Sequence, residues 1–272
     1  MLFSIDRLWG ITMTVLTMLS LALLLAILLL AAWSLHKVRA AHLLLYELRD
    51  EVRRDAGQQF RQLEALHGLY VELQLDKSLP ATRGWAASPD FLIELARHAR
   101  EARPATVVEC SSGTSTVVLA RTLQLNGRGK VYSLEHDPHY AQQTRELLAR
   151  HGLADWAVVL DAPLEPIAFG NANYQWYRAA VLPALPAIDM LVIDGPPQAI
   201  GRLARYPAGP VLLPRLAPGG ALFLDDAARP DEQEAVQRWI AECPDLTATT
   251  RACEKGCAVL LRPAASAAVR AA

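Results

Sequence analysis

The sequence predicts an α/β fold: a doubly wound, mostly parallel seven-stranded sheet with an antiparallel last strand, preceded by a transmembrane helix and a helical stalk. Three observations predict it. From residue 104 onward, short apolar or β-branched runs alternate with helix-length amphipathic stretches, which implies right-handed crossovers between parallel strands. The chain closes on residues 246–261, a hairpin turning at Lys255-Gly256. Residues 8–35 carry no charged side chain.

That uncharged stretch is the first element. At 1.5 Å per helical residue it reaches about 40 Å, against roughly 30 Å for a hydrocarbon core, so it spans with some tilt. Trp9 and Trp33 stand near its ends, where indole rings favour the headgroup level. A cleaved signal peptide would have a shorter apolar region and a basic start, whereas only Arg7 precedes this one, offset by Asp6. Lys37, Arg39, Arg49, Arg53 and Arg54 follow it, so the positive-inside rule puts the body of the chain in the cytoplasm. The expected location is a bacterial inner membrane, with a single pass.

Residues 36–78 read as a helical stalk. Leu44, Leu48 and Val52 recur every fourth position, and Leu63, Leu66, Tyr70 and Leu73 follow at spacings of three and four. Packing of this stripe on the globular domain is the favoured expectation; a homodimer through the stalk is the alternative. The main domain is expected over residues 79–262, and the Ala-rich tail 263–272 is expected to be disordered.

Within the domain, Ser88-Pro89-Asp90 starts a helix that runs to about Arg103. Strands are expected at 106–109, 131–135, 157–160, 188–193 and 221–224, the fourth almost wholly apolar and therefore buried on both faces. Helices are expected at 114–125, closed by Asn126-Gly127, at 137–151, closed by Gly152, and at 231–243. Residues 171–183 read as partly helical, and Ala217-Pro218-Gly219-Gly220 as a turn.

Composition narrows the partners. In 272 residues the net charge is −1, with 52% hydrophobic and 20% charged residues, which leaves no field to hold nucleic acid by counterion release. A small-molecule partner is expected instead. The four cysteines are too scattered for a disulfide framework, and Cys253 and Cys257 have poor zinc-ligand spacing.

In a doubly wound sheet, ligands bind outside the carboxyl ends of the strands. The first strand ends in Glu109-Cys110-Ser111-Ser112-Gly113-Thr114-Ser115-Thr116, a small-residue turn into a helix that lets backbone N–H groups face a ligand. The second ends in Glu135, at the distance expected of a carboxylate that accepts ribose hydroxyls; capping beside Asp137 is the plainer role. The third ends in Asp161-Ala162, the fourth in Asp194-Gly195-Pro196-Pro197 and the fifth in Asp225-Asp226. Crowded carboxylates repel unless a proton or cation intervenes, so Asp194, Asp225 and Asp226 form a candidate site for a hard divalent ion, most plausibly Mg²⁺. The alternative is that Asp226 caps a helix while Asp194 makes a turn.

With these motifs in hand, residues 84–261 resemble the class I S-adenosylmethionine-dependent methyltransferases, which have a Rossmann-like sheet, and in particular the bacterial branch akin to small-molecule O-methyltransferases such as the catechol type. The match is carried by the 107–116 turn, by Val131-Tyr132-Ser133-Leu134-Glu135-His136-Asp137, by Leu191-Val192-Ile193-Asp194-Gly195-Pro196-Pro197, and by 216–226. The resemblance implies that Glu109 with Cys110, Ser111, Ser112, Gly113 and Ser115 cradles the methionine part of S-adenosylmethionine. It implies that Glu135, with His136, holds the ribose and that Asp161 and Ala162 border the adenine. Asp194, Asp225 and Asp226 would be metal ligands, Asp194 also catalytic. Two departures stand out. Ser111 occupies a position that is usually glycine, and Pro197 replaces the lysine base of the catechol-type enzymes.

The implied reaction is methyl transfer to a hydroxyl oxygen of a small-molecule or lipid-linked acceptor, with S-adenosylmethionine as cofactor and Mg²⁺ as a candidate aid. His136 and Tyr206 are candidates for the base, and Trp85, Trp176 and Tyr177 are pocket walls or core aromatics. Two rivals are a catalytically silent membrane scaffold and an NAD-dependent oxidoreductase; the missing G-x-G-x-x-G fingerprint and the terminal hairpin count against the second.

Overall fold

The structure, a computed structural model, describes residues 3–82, 84–182 and 187–264, without the side chains of residues 3–8 and 179. The chain divides into two compact units, 1–59 and 60–272.

In the first unit a single helix runs without interruption and continues into the second as α1 (Phe3–Glu72). Its apolar window has a mean hydropathy of 2.8 and no buried residue, so it is long and apolar enough to cross a membrane. Leu44, Leu48 and Val52 are each more than half exposed. The packing falls instead to the last turns of α1 and the residues just after them, where Leu69 and Leu73 are buried. There the stripe meets α2 (Pro89–Ala102): Gln62 Nε2 donates to Asp90 Oδ2 at 2.7 Å, and Arg97 binds Glu72 at 2.7 Å.

The second unit is built on a seven-stranded sheet. Its strands are β1 (Thr106–Cys110), β2 (Lys130–Glu135), β3 (Ala157–Asp161), β6 (Ile188–Ile193), β7 (Leu216–Leu224), β8 (Thr247–Arg251) and β9 (Cys257–Leu261). They lie in the order β3-β2-β1-β6-β7-β9-β8, parallel except for the last strand, β9, which runs antiparallel to both neighbours. Helices α3 (Thr114–Asn126), α4 (Pro138–Arg150), α5 (Ala208–Leu212) and α6 (Pro230–Glu242) complete the layers. Successive residues of β1 serve opposite faces. Val107 joins the core under α2 and α3, while Val108 joins the core that holds Trp239 of α6. From β1 the order runs outward through β2 in one direction and through β6 in the other, so the crevice at the carboxyl ends opens between β1 and β6.

Helix boundaries follow their punctuation. Asp137 caps α4 by accepting from His139 N at 2.8 Å, and Gly127 and Gly152 end α3 and α4 at φ of +69° and +67°.

Two expectations need correction. The partly helical reading of residues 171–183 holds only for a 3₁₀ turn at Ala179–Val181: β4 (Leu164–Phe169) and β5 (Ala172–Tyr177) form an antiparallel hairpin. Tyr174 and Trp176 point inward while Asn173 and Gln175 face solvent, a period of two that aromatic side chains favour in strands. Pro183 lies outside the described residues. The expected turn at 217–220 lies inside β7, whose pairing with β6 jumps from Ile188↔Leu216 to Met190↔Ala221. An irregularity of this kind absorbs Pro218 and the two glycines without ending the strand. The tail from residue 265 also lies outside the described residues.

Candidate functional site

The β1–α3 turn is a network of hydroxyls around two buried carboxylates. Glu109 is fully buried. Its Oε2 accepts from Thr116 Oγ1 at 2.6 Å and from the Ser133 hydroxyl, while Oε1 has no hydrogen-bond partner among the described residues. Burial pushes this carboxyl up, opposed by the hydroxyls of Ser115, Ser133 and Thr116. Thr116 Oγ1 also accepts from Gly113 N at 3.0 Å, which fixes the entry to α3.

Glu135 is oriented by the same turn. Its Oε2 accepts from Ser112 N at 2.9 Å and Ser112 Oγ at 3.0 Å; its Oε1 accepts from the backbone N–H groups of His136 and Asp137. His136 Nδ1 lies 3.0 Å from that Oε1, and this contact raises the imidazole pKa despite partial burial. Glu109 and Glu135 thus meet across one turn. Ser111 closes it with φ of +95°, a left-handed conformation that a Cβ makes costly, as expected for a serine at a glycine position.

The third strand tip stands apart. Asp161 is exposed and pairs with Arg145 Nη2 of α4 at 2.7 Å, while buried Ala162 donates its N–H to the Glu135 carbonyl.

On the other side of β1, at the tips of β6 and β7, Asp194, Asp225 and Asp226 converge, each offering a carboxylate oxygen within 4.8 Å of the others. Both oxygens of Asp225 and Oδ1 of Asp226 are buried without a hydrogen-bond partner among the described residues. Burial, then the charge of Asp225, pushes the Asp194 carboxyl well above the aspartate range; burial, then Asp226, raises Asp225. The two subsites touch: Asp194 N donates to the Cys110 carbonyl at 3.1 Å. Gly195 leaves the room: a Cβ there would fall 3.1 Å from Ser111 Cβ and 2.3 Å from the Tyr177 hydroxyl.

Sequence reasoning missed the residue that binds this cluster together. Arg205, buried between the 3₁₀ turn at Gln198–Ile200 and α5, donates through Nη2 to Asp226 Oδ2 at 2.7 Å, the Asp194 carbonyl at 3.1 Å and Asp194 Oδ1 at 3.3 Å. Its Nη1 donates to the Asp225 carbonyl at 2.9 Å, and Nε lies 3.8 Å from Glu232 of α6. Burial works against the guanidinium, but Asp194, Asp226, Glu232 and Asp225 together raise its pKa. Arg229 adds a second guanidinium on Asp226 Oδ2 at 2.8 Å. No spacing rule ties an arginine in a loop to acids on two strands, so its place became visible only in three dimensions.

Four acids (Asp194, Asp225, Asp226, Glu232) thus share two guanidiniums, and burial raises the carboxyls of Asp194, Asp225 and Glu232 above their ordinary range. The free oxygens are hard donors, so the residues present fit a hard divalent cation.

The other singled-out residues divide clearly. Trp176 and Tyr177 are buried on β5, and Tyr177 sends an unpartnered hydroxyl toward Gly195. Trp85 is 87% exposed. It sits between two carbonyls, of Gly84 and Ala86, that accept from Lys255 Nζ at 3.0 and 3.1 Å. The Tyr206 hydroxyl is committed to Glu242 at 2.6 Å and its pKa is pushed up to about 12, first by burial, so it does not serve as a base at neutral pH. Gln198–Ile200 forms the 3₁₀ turn just after Pro197, and no lysine stands in it.

Known proteins bear on this geometry. Residues 108–227 match the sequence family described as a methyltransferase domain. The O-methyltransferase from Bacillus cereus, solved in complex with SAH, superposes with a TM-score of 0.52 at 18% identity, covering 76% of this chain and 97% of that one. The SAH-bound Podospora anserina methyltransferase PaMTH1 superposes with a TM-score of 0.50 at 15% identity, covering 72% and 86%. No curated protein matches the chain. The second unit therefore has the Rossmann-like α/β methyltransferase fold, and the matched segment contains the β1–α3 turn, Glu135, Asp194, Arg205 and the paired acids of β7.

Proposed function

We propose that this chain transfers the methyl group of S-adenosylmethionine to a hydroxyl oxygen of a small-molecule or lipid-linked acceptor. The observation that carries this reading is the adjacency of two subsites, joined at the Asp194–Cys110 backbone hydrogen bond. On one side stand buried Glu109 and Glu135, around a turn of small residues; on the other stand three converging acids, of which Asp225 and Asp226 have oxygens without a hydrogen-bond partner among the described residues. Glu109, Cys110, Ser111, Ser112, Gly113 and Ser115 would hold the methionine part. Glu135 and His136 would hold the ribose, and Asp161 and Ala162 would border the adenine.

In the reaction, the acceptor oxygen forms a bond to the methyl carbon as the carbon–sulfur bond breaks, and the hydroxyl proton leaves to solvent or a base. The protein's contribution is placement of the two reactants in line. Asp194, Asp225 and Asp226 would hold a divalent ion, Mg²⁺ in this proposal, which when bound supplies Lewis acidity toward a hydroxyl. Asp194, nearest the cofactor turn, is the residue proposed to face the acceptor.

The apolar part of α1 is proposed to anchor the chain in a bacterial inner membrane, with the second unit on the cytoplasmic side and the exposed stalk residues available to a second copy. A second reading, a silent scaffold, is favoured by one observation, the strained Ser111 in the cofactor turn.

Calorimetry on the full-length chain in detergent separates the two. Saturable binding of S-adenosylhomocysteine, lost in Glu135→Ala, is the expected result. A flat titration with S-adenosylmethionine and S-adenosylhomocysteine alike would overturn the enzyme reading and leave the scaffold.

A further inference from the structure

We propose that Arg205 is a resident counter-cation of the acid cluster and that it sets the cluster's affinity for a divalent metal ion, holding it well below what the carboxylates alone would give. The inference rests on the acid-cluster part of the proposed function and not on the identity of the methyl donor.

The geometry carries it. A guanidinium with only 5% of its side chain exposed lies between Asp194 and Asp226, two of the three acids that converge. Its Nη2 touches a carboxylate oxygen of each, at 3.3 and 2.7 Å. These contacts take up one oxygen from each acid and place a permanent positive charge within a few ångströms of any ion that Asp225 and Asp226 Oδ1 would accept. Arginine does not give up its proton, so the charge cannot be removed to make way. A divalent ion entering this space meets repulsion from a unit charge in a setting poorly screened by water. It has to bind beside the guanidinium or displace it from Asp226.

Arg205 also fixes the ligand frame. Nη1 and Nη2 hold the carbonyls of Asp225 and Asp194, the terminal residues after β7 and β6. The carboxylates are therefore gathered before any ion arrives. What remains open is the buried Asp225 side chain, both of whose oxygens lack a hydrogen-bond partner among the described residues, together with Asp226 Oδ1. Weak affinity and a preformed frame come from the same side chain.

A milder version of the same charge sits at Arg229. It reaches Asp226 Oδ2 at 2.8 Å from a side chain that is 38% exposed, so its field is better screened. The pair makes a graded series. Loss of Arg205 should tighten ion binding strongly, and loss of Arg229 less so.

The test is titration of the full-length chain, in detergent at mildly alkaline pH, with Mn²⁺ alone, following free Mn²⁺ by electron paramagnetic resonance. Wild type is expected to bind weakly. Arg205→Gln is expected to bind at least about tenfold more tightly, as removal of an adjacent unit charge dictates. Arg229→Gln is expected to show a smaller gain, and Asp225→Asn to lose binding. Equal or weaker binding in a folded Arg205→Gln overturns the proposal. If Arg205→Gln does not fold, Arg229→Gln decides alone: tighter binding supports the proposal and unchanged binding overturns it. S-adenosylhomocysteine binding, measured on the same samples, reports on the methyltransferase reading separately. Its absence with the Mn²⁺ series intact would remove that reading and leave this one.

Discussion

Thr116 Oγ1 donates to Glu109 Oε2 at 2.6 Å while accepting from Gly113 N at 3.0 Å, so one hydroxyl ties a buried carboxylate to the entry of α3. Replacing it leaves a buried acid short of a donor and a backbone N–H without an acceptor. Thr116→Val, which keeps the volume, should destabilise the second unit by about 1–3 kcal/mol in urea unfolding. It should also weaken S-adenosylhomocysteine binding in calorimetry. Unchanged values of both would mean that the hydroxyl network does not organise the turn.

Ser111 offers the opposite sign. A serine held at φ of +95° stores strain that glycine does not, so Ser111→Gly should stabilise the chain by about 1 kcal/mol, read from the denaturation midpoint. The change is also expected to improve cofactor binding or leave it untouched. A fall in stability would show that the serine hydroxyl, not the backbone, governs this position.

The acids predict a pH dependence. Asp194, Asp225, Glu109 and Glu232 all have raised folded-state pKa values, each chiefly through burial. A carboxyl whose folded pKa exceeds its unfolded value keeps more protons when folded, so stability is full below the unfolded pKa and declines as pH rises toward the folded one. His136, raised by Glu135, adds loss in the same direction above its ordinary range near 6.5. Urea unfolding in EDTA should therefore show stability falling from about pH 5 to pH 8. Asp194→Asn should flatten part of that slope; an identical slope in the variant would refute the assignment.

The apolar helix makes a prediction of its own. Full-length protein should remain with membranes after carbonate washing. Leu23→Arg, at the middle of the uncharged stretch, should lower that retention, since a central arginine costs about 2.5–3.5 kcal/mol of insertion. Retention of the variant equal to that of wild type would argue that residues 8–35 do not cross a bilayer.

How much of this was legible in the sequence depends on the range of the interaction. Parallel strands buried on both faces, such as 188–193, announce themselves by composition, and caps such as Asp137 and Gly127 act on their immediate neighbours. The carboxylates Glu109, Glu135, Asp194 and Asp225 were legible because a parallel sheet sends the end of each strand to the same edge. The β4–β5 hairpin was not, because its inward period is carried by only Tyr174 and Trp176, and residues 171–183 read as partly helical. Nor was Arg205, whose partners lie 11 to 27 positions away on three different elements, which no local periodicity records. The stalk shows a third limit. Its spacing of apolar residues predicts a buried face, and Leu44, Leu48 and Val52 stand in solvent all the same.

One side chain touching the carbonyls that follow β6 and β7 has a bearing on how such a sequence can change. The connection between those strands can grow or shrink on either side of residue 205 without altering the chemistry at the tips, provided the guanidinium still arrives at the same point. Variation can collect freely in the flanking loop. A shift of this single pivot would splay two strand ends at once, and selection should see it as loss of the whole cluster rather than of one contact.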